Sequence, residues 1–162
     1  MDGFKSKEHV NQVVSQYGDM LMKTCFACLG NRYDAEEVVQ ETFLAYMVSE
    51  KDFQDDEHRK AWLLRVAINK SKNVLRSRRR RGYVNLDDIK EVVAGEEKQE
   101  MLEEVMKLPH KIKTAVHLHY YEGYTCREIG AIVGTTEATV KKRLQRGREL
   151  LRDILGGESY ER

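Results

Sequence analysis

The sequence predicts an all-α protein built from two small helical domains joined by a flexible linker. Apolar residues recur at the spacing of buried helix faces, and the 162 residues contain one proline and few strand signals. Segment 82–97, which contains glycines and acids, would bury little apolar surface and is the predicted linker. The predicted domains are therefore 1–81 and 98–155, followed by a disordered tail at 156–162.

Three helices are expected in the first domain. The first covers about 7–28, and Gly30-Asn31 breaks it. The second runs from Asp34, its expected N-cap, to about Ser49. After a polar loop, the third covers about 58–80. Their apolar positions are Val10, Val13, Val14, Tyr17, Leu21 and Cys25 in the first, Val38, Val39, Phe43, Leu44 and Met47 in the second, and Trp62, Leu63, Val66, Ile68 and Leu75 in the third.

The second domain is expected to begin with a helix over 98–107. Leu108-Pro109 ends that helix and starts the next, because proline is tolerated in the first turn. This next helix covers about 110–121. Two further helices follow within 124–152.

These last two helices have the residue spacing of a DNA-binding helix-turn-helix. Gly130 lets the helices approach closely, and Gly134 stands where the chain must turn. Val140 would lock the second helix onto the first, and Ile129 and Val133 complete the apolar set.

The second of these helices has an apolar face and a basic face. Val140, Leu144, Gly147 and Leu151 fall on the inward face, although the usual pattern has an apolar residue at 143, where this chain has Arg143. An ordinary solvated helix hairpin is the alternative to a DNA-binding role. The predicted DNA contacts are Thr136, Ala138, Thr139, Lys141, Lys142, Arg143, Gln145 and Arg146.

The net charge of +1 conceals two strongly basic segments. Segment 59–81 has ten basic residues and no acid, and segment 141–152 has six basic residues and one acid. Acids concentrate elsewhere, with nine in 34–57. The segregation indicates basic faces for nucleic acid, which matter more than the net charge.

The basic end of the third helix has two interpretations. It is either a phosphate-binding arm or a solvated helix end, where positive charge also suits the helix dipole. Trp62, with Phe53 nearby in sequence, offers surfaces for stacking unpaired bases, and the alternative is that Trp62 belongs to the core.

Composition excludes several other classes of protein. No apolar run approaches the ~20 residues needed to span a bilayer, and no signal peptide is evident, so a cytoplasmic protein is expected. No nucleophile–base pair, phosphate-binding glycine loop or metal-ligand set is present, so no enzyme, cofactor or metal is expected. Cys25 and Cys28 form a CxxC that is interpreted as small residues on a helix face, with a thiol or metal sensor as the alternative.

Four segments, in order, resemble the extracytoplasmic-function (group 4) sigma factors of the sigma-70 family. The resemblance covers about Val10 to Ile154. Each motif is moderately specific, and their order and spacing make the set very specific. The segments are 34–44, similar to the DAEDxVQExF motif of regions 2.1–2.2; Phe53, 62–69 and 73–80, similar to regions 2.3 and 2.4; 84–88, similar to the linker; and 108–151, similar to region 4.

This resemblance implies a non-enzymatic subunit, monomeric when free, that brings core RNA polymerase to promoter DNA. Region 2 would bind the β′ clamp coiled coil, region 4 would bind the β flap, and an anti-sigma factor would hold the free protein back. The implied core-binding residues are Asp34, Glu37, Gln40, Glu41 and Leu44. The implied −10 contacts are Phe53, Trp62, Arg65, Asn69, Lys70, Lys72, Arg76 and Arg79.

The loop 50–59, the specificity loop, would receive a flipped base of the non-template −10 strand, with Asn69 at the base of its pocket. Its acidity is unusual for a DNA-contacting segment. A rival hypothesis is a two-domain regulator that binds operator DNA as a dimer without polymerase.

Overall fold

The computed structural model describes residues 5–78 and 103–154. The described chain is helical apart from turns and short connections, and no strand occurs in these two ranges, which confirms the predicted all-α class. The chain forms two compact units, Met1–Tyr83 and Val84–Arg162. The predicted linker 82–97, the predicted tail 156–162 and Arg79 lie outside the described residues.

The first unit contains a three-helix bundle in which each helix packs against the other two. The helices are α1 (Lys7–Leu29), α2 (Arg32–Val48) and α3 (Asp56–Arg78). Their shared core contains, among others, the fully buried Leu21, Phe26, Val38, Leu63 and Ile68. Predicted core positions Val13, Tyr17, Leu21 and Cys25 are buried in α1, whereas Val14 is 39% exposed at the edge of the face.

The turn between α1 and α2 corrects the predicted N-cap. Gly30 adopts a left-handed conformation with φ 70° and donates its N–H to the Phe26 carbonyl at 2.8 Å. Asn31, in extended conformation, caps α2, because its Oδ1 accepts the Asp34 N–H at 2.9 Å. Asp34 is therefore not the N-cap but a first-turn residue, and it is buried with 3% exposure.

Helix α3 begins two residues earlier than predicted. Asp55 precedes it, and its Oδ1 accepts the His58 N–H at 2.8 Å, satisfying an N–H that has no partner within the first turn. The start of α3 is thus fixed inside the specificity loop by one of the loop's own acids.

The second unit contains helical residues 103–106, then α4 (His110–Val116), α5 (Cys126–Val133) and α6 (Glu137–Ile154). Pro109 is the N-cap of α4 rather than its first residue. The predicted helix 110–121 changes from α to π geometry at His117–Tyr121, which the apolar spacing did not reveal. In the described ranges, no helix is long and apolar enough to cross a bilayer.

Candidate nucleic-acid interface

The turn between α5 and α6 depends on two glycines. Gly134 has φ 80°, and its N–H and that of Thr135 both donate to the Gly130 carbonyl at 2.9 Å. A Cβ added to Gly130 would lie 2.7 Å from the Thr135 carbonyl oxygen, which belongs to the backbone and has little room to move. The predicted reasons for both glycines, close approach and a left-handed turn, are therefore met.

Helix α5 has reciprocal caps at its start. The Thr125 hydroxyl accepts the Glu128 N–H at 3.1 Å, and Glu128 Oε1 accepts the Thr125 N–H at 2.9 Å. Ile129 and Ile132 are its buried apolar residues, whereas the predicted Val133 is only half-buried. The core position that was predicted for Val133 is therefore occupied by Ile132, the preceding residue.

The inward face of α6 matches the prediction. Val140, Leu144, Gly147 and Leu151 are all buried. A Cβ on Gly147 would lie 2.9 Å from Val116 Cγ2 and 3.1 Å from Ile112 Cγ2, so Gly147 lets α6 lie directly on α4. This packing fixes the rotation of α6 and therefore which residues face solvent.

The opposite face of α6 is polar and basic. Ala138, Lys141, Lys142, Gln145 and Arg146 are exposed, and Thr139 and Arg143 are half-buried at its edges. Lys141 pairs with Glu137 at 3.5 Å and Arg146 with Glu149 at 3.2 Å, and such exposed pairs contribute little to stability. These side chains can exchange their present partners for phosphates or base edges at small cost.

The exposed residue Thr136 has a local structural role at the start of α6. Its Oγ1 accepts the Thr139 N–H at 3.1 Å and lies 2.9 Å from the Thr139 hydroxyl. Thr136 therefore caps the helix.

In the first unit, α3 presents a second basic face. Arg65, Asn69, Lys72 and Arg76 recur at the four- and three-residue spacing of one helix face, and all but the half-buried Lys72 are exposed. The helix thus brings four of the predicted −10 residues into one row. Lys70 lies toward α2, where its Nζ is 3.9 Å from Glu41 Oε1.

An aromatic cluster, defined as Tyr46, Phe53, His58 and Trp62, lies toward the N-terminal end of this row, because Trp62 is one helical turn before Arg65. Phe53 has ring-centroid distances of 5.7 Å to Tyr46, 5.6 Å to Trp62 and 5.2 Å to His58. Phe53 and Trp62 are half-buried, whereas Tyr46 is fully buried. Trp62 therefore packs against the specificity loop and keeps a partly open surface.

Sequence reasoning missed Tyr46, although it lies three residues after Phe43 on the buried side of α2. Its hydroxyl accepts the Arg59 Nε–H at 3.0 Å and lies 2.7 Å from His9 Nε2. Tyr46 of α2 thus contacts both α1 and α3 next to the loop. The position of an aromatic residue one helical turn after Phe43 on the apolar face could have predicted that Tyr46 is buried.

Two of the five acids of the specificity loop interact within the protein. Asp55 caps α3, and Asp56 forms an ion pair with Arg59 while its carbonyl accepts the Tyr17 hydroxyl at 3.2 Å. The Arg59 guanidinium also lies over the Phe53 ring at 5.6 Å. Part of the acidity of the loop, that of Asp55 and Asp56, therefore has a structural role.

The exposed face of α2 is acidic and apolar. Glu37, Gln40 and Glu41 are exposed, and Leu44 is 57% exposed despite its helical apolar spacing. Tyr33 at 76% and Val48 at 50% exposure extend this face beyond the predicted set. The buried Asp34 is separate from it.

The CxxC cysteines lie in the core. Cys25 is fully buried and Cys28 nearly so, and burial raises the pKa of the Cys25 thiol. A buried, protonated thiol is a poor nucleophile and metal ligand. Over 5–78 and 103–154, no three His, Cys, Asp or Glu residues form a group suited to a metal ion.

Two family models match the chain: Sigma-70 region 2 over residues 13–81 and Sigma-70, region 4 over residues 98–151. The chain is 29% identical to the ECF RNA polymerase sigma factor SigW of Bacillus subtilis, over 88% of this chain and 87% of that protein. It is 30% identical to the ECF RNA polymerase sigma factor SigE of Mycolicibacterium smegmatis, over 93% of this chain and 63% of that protein.

Two solved structures share the fold. One is the sigma factor RpoE in complex with the anti-sigma factor NepR from Bartonella quintana, with TM-score 0.74 and 21% identity over 94% of this chain and 99% of that one. The other is CnrH in complex with the cytosolic domain of CnrY, with TM-score 0.71 and 22% identity over 95% of this chain and 92% of that one.

Proposed function

The chain belongs to the sigma-70 family, in its extracytoplasmic-function group. From this membership we propose which of its surfaces bind core polymerase and which bind promoter DNA. It is an RNA polymerase sigma factor that binds core polymerase and directs promoter recognition and melting. The observation that carries this function is the match of region 2 and region 4, in order, to two helical units that each present a basic face.

Region 4 reads the −35 duplex through α6. The exposed residues of its first three turns can enter a major groove, where lysine, arginine and glutamine donate to base edges and phosphates. The buried anchors Val140, Leu144 and Gly147 support this role by holding the helix in one rotation. We assign base and phosphate contacts to Ala138, Thr139, Lys141, Lys142, Arg143, Gln145 and Arg146, and helix capping to Thr136.

Region 2 captures the −10 non-template strand along α3. The row formed by Arg65, Asn69, Lys72 and Arg76 supplies cations at helical intervals, which suits a strand of phosphates. Lys70 and Arg79 complete the proposed phosphate contacts. Phe53 and the half-buried Trp62 offer the aromatic surfaces on which bases stack.

The specificity loop receives the flipped base beside Asn69. Because Asp55 and Asp56 are engaged within the protein, the loop's formal charge overstates its repulsion of DNA. This partial compensation, of two of the loop's five acids, supports a base contact at an acidic loop.

Core polymerase binds the exposed face of α2. Glu37, Gln40, Glu41 and Leu44 combine acidic, polar and apolar surface, which suits a basic partner such as the β′ clamp coiled coil. Tyr33 and Val48 extend this contact at its two ends. Asp34, being buried, supports the helix start rather than touching the partner. Region 4 adds a second contact, to the β flap.

An anti-sigma factor restrains the free protein, a cytoplasmic monomer. Of the two solved structures described above, one is a sigma factor in complex with the anti-sigma factor NepR, and the other is CnrH in complex with the cytosolic domain of CnrY. Such a partner would cover the acidic face of α2 and the basic faces together.

Run-off transcription tests the proposed function directly. The purified chain is added to core polymerase on a library of promoters, with core alone as the control. Promoter-specific transcripts and a stable core complex are expected. Absence of both, combined with tight duplex binding by the chain alone, would instead indicate a polymerase-independent regulator.

A further inference from the structure

Segment 5–9, here called the N-terminal strap, contacts both the start of the specificity loop and the aromatic cluster. The Lys5 N–H donates to the Met47 carbonyl at 3.1 Å, and Lys5 Nζ donates to the Ser49 carbonyl. Lys5 Nζ also lies 4.7 Å from the centroid of the Tyr46 ring. The Lys5 backbone thus contacts the last turn of α2, and its side chain contacts Tyr46 and Ser49, the residue that precedes the loop.

A second strap residue, His9, also contacts Tyr46. His9 Nε2 lies 2.7 Å from the Tyr46 hydroxyl, and the two rings are 5.8 Å apart. The Ser6 hydroxyl accepts the His9 N–H at 3.2 Å and so caps α1 at this point. Because the cap fixes the first turn of α1, it also fixes the direction in which the His9 side chain projects.

The second half of the loop is fixed by Asp55 and Asp56, whereas 50–54 is anchored by the Phe53 ring and by two backbone N–H groups, of Lys51 to Ser49 Oγ and of Gln54 to His58 Nδ1. In 50–55 only Phe53 is even half-buried, and the other residues are exposed. Phe53 rests on Tyr46, which also accepts the Arg59 Nε–H. Trp62 and His58 also contact Phe53, so the position of 50–54 depends in part on Tyr46 and on the end of α2, and the strap contacts both.

We propose that Lys5 and His9 are positioning residues for the specificity loop, so that the N-terminal strap determines how strictly the flipped −10 base is selected. The inference rests on the proposed function, in which this loop receives that base. Neither residue touches the base. They act through Tyr46, Met47 and Ser49, because a loop that shifts by even a fraction of an ångström presents a differently shaped pocket.

The test uses holoenzyme on four promoters that differ only at the flipped position. Lys5→Ala and His9→Phe are expected to reduce the preference for the favoured base about five- to tenfold, since each removes one side-chain hydrogen bond, to Ser49 or to Tyr46, that positions the loop. Core affinity should remain within about twofold. Lys5→Arg and His9→Gln, which keep a side-chain group able to form the hydrogen bond, should restore most of the preference. Lys7→Ala is the matched control, because Lys7 is an exposed cation at the start of α1.

Trp62 gives a second readout that needs no DNA. It is the single tryptophan, and it packs against Phe53 and Tyr46. Its emission should shift to longer wavelength in Lys5→Ala and His9→Phe and remain unchanged in Lys7→Ala.

Three results would overturn the proposal. The base preference and the Trp62 emission of both variants could equal those of the wild type. Activity could instead fall equally on all four promoters with a shallower salt dependence, which would make Lys5 a phosphate contact. Core affinity, melting temperature and base preference could also fall together without rescue, which would indicate general destabilisation. If the wild type itself shows no base preference, the loop assignment of the proposed function fails, and the Trp62 emission alone decides whether the strap holds the loop.

Discussion

Individual side chains of the specificity loop have structural roles that could not be predicted from their residue types. Asp55 caps α3, Asp56 pairs with Arg59, and Arg59 donates in turn to Tyr46. An exposed aspartate would repel a DNA phosphate, but one that accepts a backbone N–H or faces a guanidinium has part of its charge compensated. The loop can therefore be acidic in sequence and still lie against DNA.

Gly130 is the residue whose replacement should damage the second unit most directly. In Gly130→Ala the new Cβ would meet the Thr135 carbonyl oxygen at 2.7 Å, so the turn must shift. We expect the free energy of unfolding of this unit to fall by about 1–3 kcal/mol, with reduced −35 binding. Thermal and denaturant unfolding measure the change.

Gly18→Ala is the matched control for this substitution. Gly18 lies inside α1, and an added Cβ meets nothing within 4 Å. This variant should be stabilised by about 0.5–1 kcal/mol, because alanine favours a helix interior. Equal destabilisation in both variants would contradict the steric account of Gly130.

Asn69 is exposed on the row of α3 that contains Arg65, Lys72 and Arg76. Asn69→Ala should reduce open-complex formation about tenfold while core affinity stays unchanged, because the proposed function assigns the amide to the flipped base and not to polymerase. Permanganate footprinting measures melting, and a competition assay measures core binding. Asn11→Ala, an exposed asparagine on α1, is the control. Loss of core binding in Asn69→Ala would rule out the pocket assignment.

At the scale of elements, each functional helix has one face fixed by the core and another left for a partner. In α6 the buried Val140, Leu144 and Gly147 set the rotation that exposes Lys142 and Arg146. In α2 the buried Val38 and Tyr46 leave the acidic face outward. The same packing that stabilises each unit therefore orients its binding surface.

Helix α6 should depend on the capping hydroxyl of Thr136 and not on its contact with DNA. Thr136→Ala removes the acceptor for the Thr139 N–H and should cost about 1 kcal/mol of unfolding free energy in the second unit. Thr136→Ser keeps the hydroxyl and should preserve both stability and −35 affinity. A Thr136→Ser variant that is stable but loses −35 sequence preference would show that the methyl group reads a base.

At the scale of the whole molecule, the distribution of charge explains how a chain of net charge +1 can bind DNA. Basic residues concentrate on α3 and α6, while acids concentrate on α2 and the specificity loop. Each basic face by itself provides a few phosphate contacts, and few contacts give modest affinity at physiological salt. Tight promoter binding is therefore expected only when polymerase holds both units on the same DNA.

Salt dependence tests this division of charge. Lys142→Ala in holoenzyme should weaken binding to all −35 sequences to a similar extent and reduce the slope of log affinity against log salt by about 1, if Lys142 contacts one phosphate. Filter binding at several salt concentrations gives the slope. Lys111→Ala, an exposed lysine on α4, should leave it unchanged. A sequence-selective loss in Lys142→Ala would instead assign Lys142 to a base.

Much of the fold was predictable because its signals are local. Helical spacing of apolar residues, the Gly30 break and the Gly130–Gly134 turn each act within a few residues, and the structure agrees with them. Predictions were wrong where two similar residues close together in sequence could fill the same role. Asn31 rather than Asp34 caps α2, for example. The π turn at His117–Tyr121 leaves no distinct mark in the spacing of apolar residues.

The sequence by itself determined the all-α class, the helix-turn-helix and the family, since motifs at fixed spacing carry all three. Only the tertiary structure decided which residues meet across helices. Tyr46, His9 and Arg59 converge, Lys70 faces Glu41, and Asp34 is buried. These contacts join residues far apart in the chain, and they depend on how each helix is rotated in the packed core. That rotation is set by packing over the whole bundle and not by any single segment.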